Sequence, residues 1–149
     1  MYKHILIATD GSERAVRGVE AGVALAKAGG AKVTMVIVSE PFPNYDLGSK
    51  LGLFRDERAI ESYAADCRRL AETVLAQAAE VAAAAGVSCE TIHVPDDAPA
   101  AAIIETAKAR GADLIVLTSQ GRAGLERLML GSQAERVVNR AETSVLVVR

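Results

Sequence analysis

The chain has 149 residues, 50% of them hydrophobic, 3% aromatic and 24% charged, and its 17 Lys and Arg against 19 Asp and Glu give a net charge of −2. One domain spanning residues 1–149 is expected, burying roughly 68–70% of its unfolded surface without help from disulfides or structural metal. With no Trp, two Phe and three Tyr, and no basic excess, the composition excludes the stacking platforms and the electrostatic footprint of a nucleic-acid binder.

In chain order, the first apolar run is Ile5-Leu6-Ile7-Ala8, unbroken by polar residues as in a strand buried on both faces. This run is too short for the hydrophobic core of a signal peptide, and Asp10 follows at once. Asp10-Gly11-Ser12 ends the strand. From Ser12 to about Ala28, Val16, Val19, Val23 and Ala26 recur at helical spacing, and Gly29-Gly30 supplies a stop. Val33 to Val38 is a second, β-branched run.

Glu40 to Asp56 reads as a long irregular connection that gathers Pro41, Phe42, Pro43, Tyr45 and Phe54, a candidate lid or partner surface. A helix from about Glu57 to Ala85 follows, with Ile60, Ala64, Cys67, Leu70, Val74, Ala78 and Val81 on its apolar stripe and Gly86 closing it. At a length of about 40 Å it exceeds the width of such a domain, so a bend or a later start is expected.

Val87 to Val94 is the least apolar strand, and its alternation suits an edge. Asp96-Asp97-Ala98-Pro99 signals a helix start with an aspartate as cap, and Ile103, Ile104 and Ala107 mark that helix's buried face until Gly111. Leu114-Ile115-Val116-Leu117 is the fourth run, and Val145-Leu146-Val147-Val148 closes the chain as a fifth strand. Strand and helix alternating in this way predict an α/β fold, a doubly wound parallel sheet with helices on both faces. Ligands of such sheets lie outside the carboxyl ends of the strands where the order reverses. Thr9-Asp10-Gly11-Ser12 and the stretch from Thr118 to Ser132 are the two places that qualify.

The segment from Leu117 to Val137 reads LTSQGRAGLERLMLGSQAERV. Gly121, Gly124 and Gly131 allow positive φ or close approach of a ligand, and Ser132 with Glu135 has the spacing of a capping box at a helix start. The N–H groups of such a helix end favour phosphate, and Arg122 adds a charged donor. A glycine-rich loop and an ordinary capped helix would give the same spacing. This segment resembles the C-terminal signature of the universal stress protein family, in which Gly, two residues, Gly, nine residues and Gly-Ser follow one another. Gly121, the nine residues from Arg122 to Leu130, and Gly131-Ser132 match it, while Thr118 stands where the family has its first glycine. Ile5 to Ser12, the Ala112-Asp113-Leu114-Ile115-Val116 strand entry and Ser144 to Arg149 extend the likeness over nearly the whole chain.

The resemblance implies an adenine nucleotide alpha hydrolase-like sheet of order 3-2-1-4-5 and a homodimer formed through Val145–Val148. It implies ATP as ligand, with Thr9 and Asp10 beside ribose and adenine, strand two near Val38 at the adenine edge, and Gly121, Gly131, Ser132 and Gln133 around the phosphates. Thr118 leaves two alternatives: if the family glycine serves a positive φ, which a β-branched residue tolerates poorly, this loop must bend differently, and if the glycine only leaves room, the Thr118 hydroxyl can donate to a phosphate oxygen. A Mg²⁺ accompanying the nucleotide would be held near Asp10. Two readings of function follow, a nucleotide-dependent regulator of the stress response and a nucleotide-independent interaction module with an unknown protein partner. Catalysis is at most slow ATP hydrolysis, since His4 and His93 are the only histidines and no Walker-type run occurs. Cys67 and Cys89 belong to no C-x-x-C pair, so no metal site is expected. The apolar runs are all strand-sized, so no membrane span is expected and a cytoplasmic location is the default.

Overall fold

The first apolar run forms β1 (His4–Ala8), whose central residues Ile5, Leu6 and Ile7 have no exposed surface. A strand sealed on both faces belongs inside a covered sheet. The computed structural model, which describes residues 1–42, 56–120 and 130–149, places it at the centre of one. With β2 (Lys32–Ser39), β3 (Cys89–Pro95), β4 (Leu114–Thr118) and β5 (Ser144–Val148) it makes a five-stranded sheet of order β3-β2-β1-β4-β5. Every adjacent pair is parallel, with Ile5 opposite Val33 on one side and Leu114 on the other. Chain progress reverses direction between β1 and β4, which opens a crevice at their carboxyl ends.

Helices α1 (Glu13–Gly29) and α2 (Glu57–Ala84) cover the face bearing Ile5, Ile7, Val33 and Met35. Helices α3 (Pro99–Arg110) and α4 (Ser132–Arg140) cover the opposite face, which bears Leu6, Val36, Ile115 and Leu117. The sheet is therefore doubly wound as expected. β3 lies at one edge, where Glu90 pairs with Arg110 at 2.6 Å, and β5 lies at the other. Among the described residues no helix is long and apolar enough to cross a membrane.

Two helical stripes differ from expectation. On α1 the buried residues are Ala15, Gly18, Val19, Gly22, Val23 and Ala26, whereas Val16 is 47% exposed. The helix turns its smallest residues to the sheet because it approaches closely: a Cβ on Gly22 would lie 2.5 Å from Ile7 Cδ1. On α2 the buried residues are Ala71, Leu75, Ala78 and Ala82, with Val74 and Val81 beside them, while Ala64 and Leu70 are exposed.

α2 does not start later than Glu57. Asp56 caps it there, its Oδ1 accepting from the N–H groups of Arg58 (3.1 Å) and Ala59 (3.2 Å). Its 28 residues span about 42 Å, and burial begins only at Ala71. The first half is tethered instead by Tyr63, whose hydroxyl donates to the Glu40 carbonyl at 3.2 Å and whose ring meets Phe42 edge-on at 5.5 Å. Of the long connection from Glu40, residues 43–55, including Pro43, Tyr45 and Phe54, lie outside the described residues.

The start of α3 also differs from the expected aspartate cap. Ala98 is the N-cap and has no side-chain bond to give, and Asp96 closes the preceding turn by accepting from the Ala98 N–H at 2.8 Å. The Ala100 N–H is satisfied from another element, by Gln133 Oε1 at 3.2 Å.

Candidate functional site at the carboxyl ends of the strands

After β1 the chain stays bound to the sheet through Thr9, whose N–H donates to the Val36 carbonyl at 2.9 Å. A turn then forms from side chain to backbone bonds: Thr9 Oγ1 accepts from Gly11 N–H (3.3 Å) and Asp10 Oδ1 from Ser12 N–H (2.9 Å). Gly11 has φ +76, an angle that other residues adopt at a cost, and Ser12 caps α1 through Ala15 N–H.

At the end of β4, Thr118 occupies the place of the glycine in the resembling pattern without strain. Positive φ is confined to Gly11, Gly30, Gly86 and Gly111 among the described residues, so Thr118 keeps an ordinary backbone angle. Its methyl faces Gly18 on α1, where a Cβ would lie 3.0 Å away, and its hydroxyl donates to the Gln120 carbonyl at 3.2 Å. The next residue, Ser119, joins two elements, donating its N–H to Val148 O (2.9 Å) and accepting from Gly131 N–H (2.6 Å).

That contact fixes the start of α4, and it corrects the expected capping box. Gly131 itself is the N-cap, with φ −60, and Ser132 is already the first helical residue, so its hydroxyl makes no capping bond. Gly131 is needed for proximity rather than for a positive φ, since a Cβ there would sit 3.0 Å from Ser119 O. A glycine cap brings no side-chain acceptor, and the first turn of α4 therefore presents N–H groups that an anion can engage.

These pieces surround a cavity of about 370 Å³. Thr9, Asp10, Val38, Thr118, Gly131, Ser132 and Gln133, all selected from sequence, line it together. Gly121, Arg122 and Gly124 lie outside the described residues. The floor is apolar, supplied by Val36, Ile103, Leu117 and Val137 from β2, α3, β4 and α4. Sequence reasoning missed Glu40, Pro99 and Gln120, which complete the wall. Glu40 lies just past the end of β2, where the alternation of Val36 and Val38 would carry on to it.

Neither histidine belongs to the cavity. His4 Nε2 lies 2.8 Å from Thr34 Oγ1 in the sheet, and His93 Nε2 lies 2.7 Å from Ser39 Oγ beside α2. Burial lowers the pKa of both. Among the described residues no group of three or more His, Cys, Asp or Glu could hold a metal ion. Asp10 is the one carboxylate of the β1 turn on the cavity wall, a donor set that suits a Mg²⁺ carried mainly by phosphate oxygens.

The model of the family described as "Universal stress protein family" matches residues 1–149. The chain belongs to that family. A universal stress protein from Thermus aquaticus, encoded in the 3' region of the QAH/OAS sulfhydrylase gene, is 38% identical with both chains covered in full. A universal stress protein solved in complex with cAMP is 28% identical, with a TM-score of 0.69 over 99% of this chain and 97% of its own. The structure used for a structure-based assignment of the biochemical function of hypothetical protein MJ0577 is 25% identical, with a TM-score of 0.82 over 99% and 96%.

Proposed function

We propose that this universal stress protein binds ATP in the cavity between β1, β2, β4 and α4 and acts as a nucleotide-dependent regulator in the cytoplasm. The observation that carries the reading is the convergence of Asp10, Val38 and the glycine-capped start of α4 on one cavity with an apolar floor. Its volume, about 370 Å³, falls in the range of small-molecule sites.

Each part has a chemical task. The floor of Val36, Ile103, Leu117 and Val137 takes the flat apolar faces of adenine, and main-chain groups near Val38 meet its polar edge. The Asp10 carboxylate accepts from ribose hydroxyls. N–H groups of Ser132 and Gln133, at the positive end of the α4 dipole, attract phosphate oxygens, with Gly121 and Arg122 adding donors. A Mg²⁺ bound with the nucleotide would take Asp10 and phosphate oxygens as ligands. Nothing in the cavity supplies a histidine base, so binding rather than turnover is the role proposed.

The homodimer proposal rests on β5. It is a sheet edge whose outer side pairs with no strand among the described residues, and Leu146 is 38% exposed on it. Antiparallel pairing of Val145–Val148 with a second copy covers both.

Mass spectrometry of the denatured purified protein tests the nucleotide reading. An adenine nucleotide released in near one-to-one ratio, or taken up on incubation with ATP, supports it. A protein that neither carries nor takes up nucleotide would be the nucleotide-independent interaction module instead.

A further inference from the structure

The strip Thr118-Ser119-Gln120 has two sides. One borders the cavity described above, and the other borders a second concavity of about 420 Å³ on the α1 face of the sheet, between the start of α1 and the end of β5. Its wall carries three arginines, Arg14, Arg17 and Arg149, against one carboxylate side chain, Glu13.

Among the described residues none of these arginines forms an ion pair, although Glu13 shares the wall with them. Arg14 is held by a neutral partner, its guanidinium donating to the side-chain carbonyl of Gln120, which is only 5% exposed. A buried amide fixes this cation in place without cancelling its charge. Arg14 and Arg17 are also the second and fifth residues of α1, at the end of the helix where the dipole is positive. Cations there are disfavoured by the helix itself, and an anion in the concavity would relieve that repulsion.

We propose that this concavity is a second binding site, distinct from the nucleotide cavity, for a small phosphate-bearing molecule. Guanidinium groups suit this chemistry because their planar fork matches two phosphate oxygens at once. Ser119 also lines the wall, and Val148 adds an apolar residue for the carbon part of the ligand. The volume admits a metabolite and not a folded partner.

Amide chemical shifts of ¹⁵N-labelled protein titrated with pyrophosphate test the proposal. Saturable shifts are expected at Arg14, Arg17, Ser119 and Arg149, weakening as salt is raised. Arg17→Glu and Arg149→Glu should each raise the pyrophosphate dissociation constant at these amides at least about tenfold, while AMP binding followed at Ser132 and Gln133 stays within about twofold of the parent. Shifts confined to residues 132–134, or shifts at Arg14 and Ser119 that neither charge reversal alters, would overturn the second site. So would a flat titration to about 20 mM, which corresponds to negligible affinity. Because AMP is read separately, failure here leaves the nucleotide reading standing, and failure of that reading leaves this one.

Discussion

The γ-methyl of Thr118 and the bare Cα of Gly18 are complementary: a Cβ added at Gly18 would meet that methyl at 3.0 Å. The end of β4 and the second turn of α1 are thus locked by a large-to-small pair, and the β4 end is the wall shared by both cavities. Gly18→Ala gains helix propensity of up to about 1 kcal/mol but must displace the methyl, an overpacking cost of about 1–3 kcal/mol. We expect a net loss of about 1 kcal/mol in denaturant unfolding. In the Thr118→Ser background the methyl is gone, and the same change should become neutral or stabilising. Equal effects in both backgrounds would mean that the two residues are not coupled.

Gly11 is constrained more severely. It combines φ +76 with a Cβ position 2.6 Å from Val74 Cγ2 of α2. Gly11→Ala should cost about 2–4 kcal/mol, the sum of left-handed strain and overpacking. Gly30→Ala makes the control, since φ is +68 there but nothing lies within 4 Å of the added Cβ, and it should cost only about 1–2 kcal/mol. Paired thermal melts decide the comparison.

Much of this organisation can be read in the sequence, and the exceptions have physical causes. β1 and β4 are legible because strands buried on both faces are written as unbroken aliphatic runs, and the Asp10 turn because tight turns use few residue types. The buried faces of α1 and α2 are legible only in part. On α1 the expected Val19, Val23 and Ala26 do face the sheet, but apolar periodicity gives no weight to glycine, so Gly18 and Gly22 go unmarked and the exposed Val16 is counted instead. In α2 the expected Val74, Ala78 and Val81 do pack on the core, but alanines occur all round, so Ala64 and Leu70 stand exposed and the buried Ala71, Leu75 and Ala82 fall outside the expected stripe. The cap of α4 was misplaced by one residue because the contact that selects Gly131 comes from Ser119, twelve positions earlier, and no local pattern encodes it.

That displacement has its own consequence. Ser132 makes no capping bond, so Ser132→Ala should change stability by less than about 0.5 kcal/mol, not by the roughly 1 kcal/mol typical of a lost cap. A full capping loss in urea unfolding would restore Ser132 as the cap. Gly131→Ala, which brings a Cβ to 3.0 Å from Ser119 O, should by contrast loosen α4 and weaken nucleotide binding.

The acid limb of the stability profile should have two stages. His4 is buried, and burial first, then Lys32, lowers its pKa; burial and Arg68 lower that of His93. The unfolded chain therefore binds protons that the folded one refuses, so stability is full above about pH 6.5 and falls as the pH drops below that value. Asp113 acts lower. Burial pushes its carboxyl up, but the N–H groups of Lys3 and His4 outweigh this and hold it below the usual range. Its contribution is present above about pH 3.9 and is lost as the pH falls through the lower, folded value. Asp113→Asn should remove the second stage and leave the first, as urea unfolding between pH 3 and pH 8 would reveal.

The cavity beside Asp10 and Ser132 is proposed to receive ATP. Isothermal titration calorimetry of the intact protein with ATP and Mg²⁺ tests it most directly. One site per chain is expected, with a dissociation constant below about 1 mM, weakened at least about tenfold by Asp10→Ala with the fold retained by circular dichroism. No heat of binding up to about 5 mM ATP, or an affinity that Asp10→Ala leaves unchanged, would contradict it.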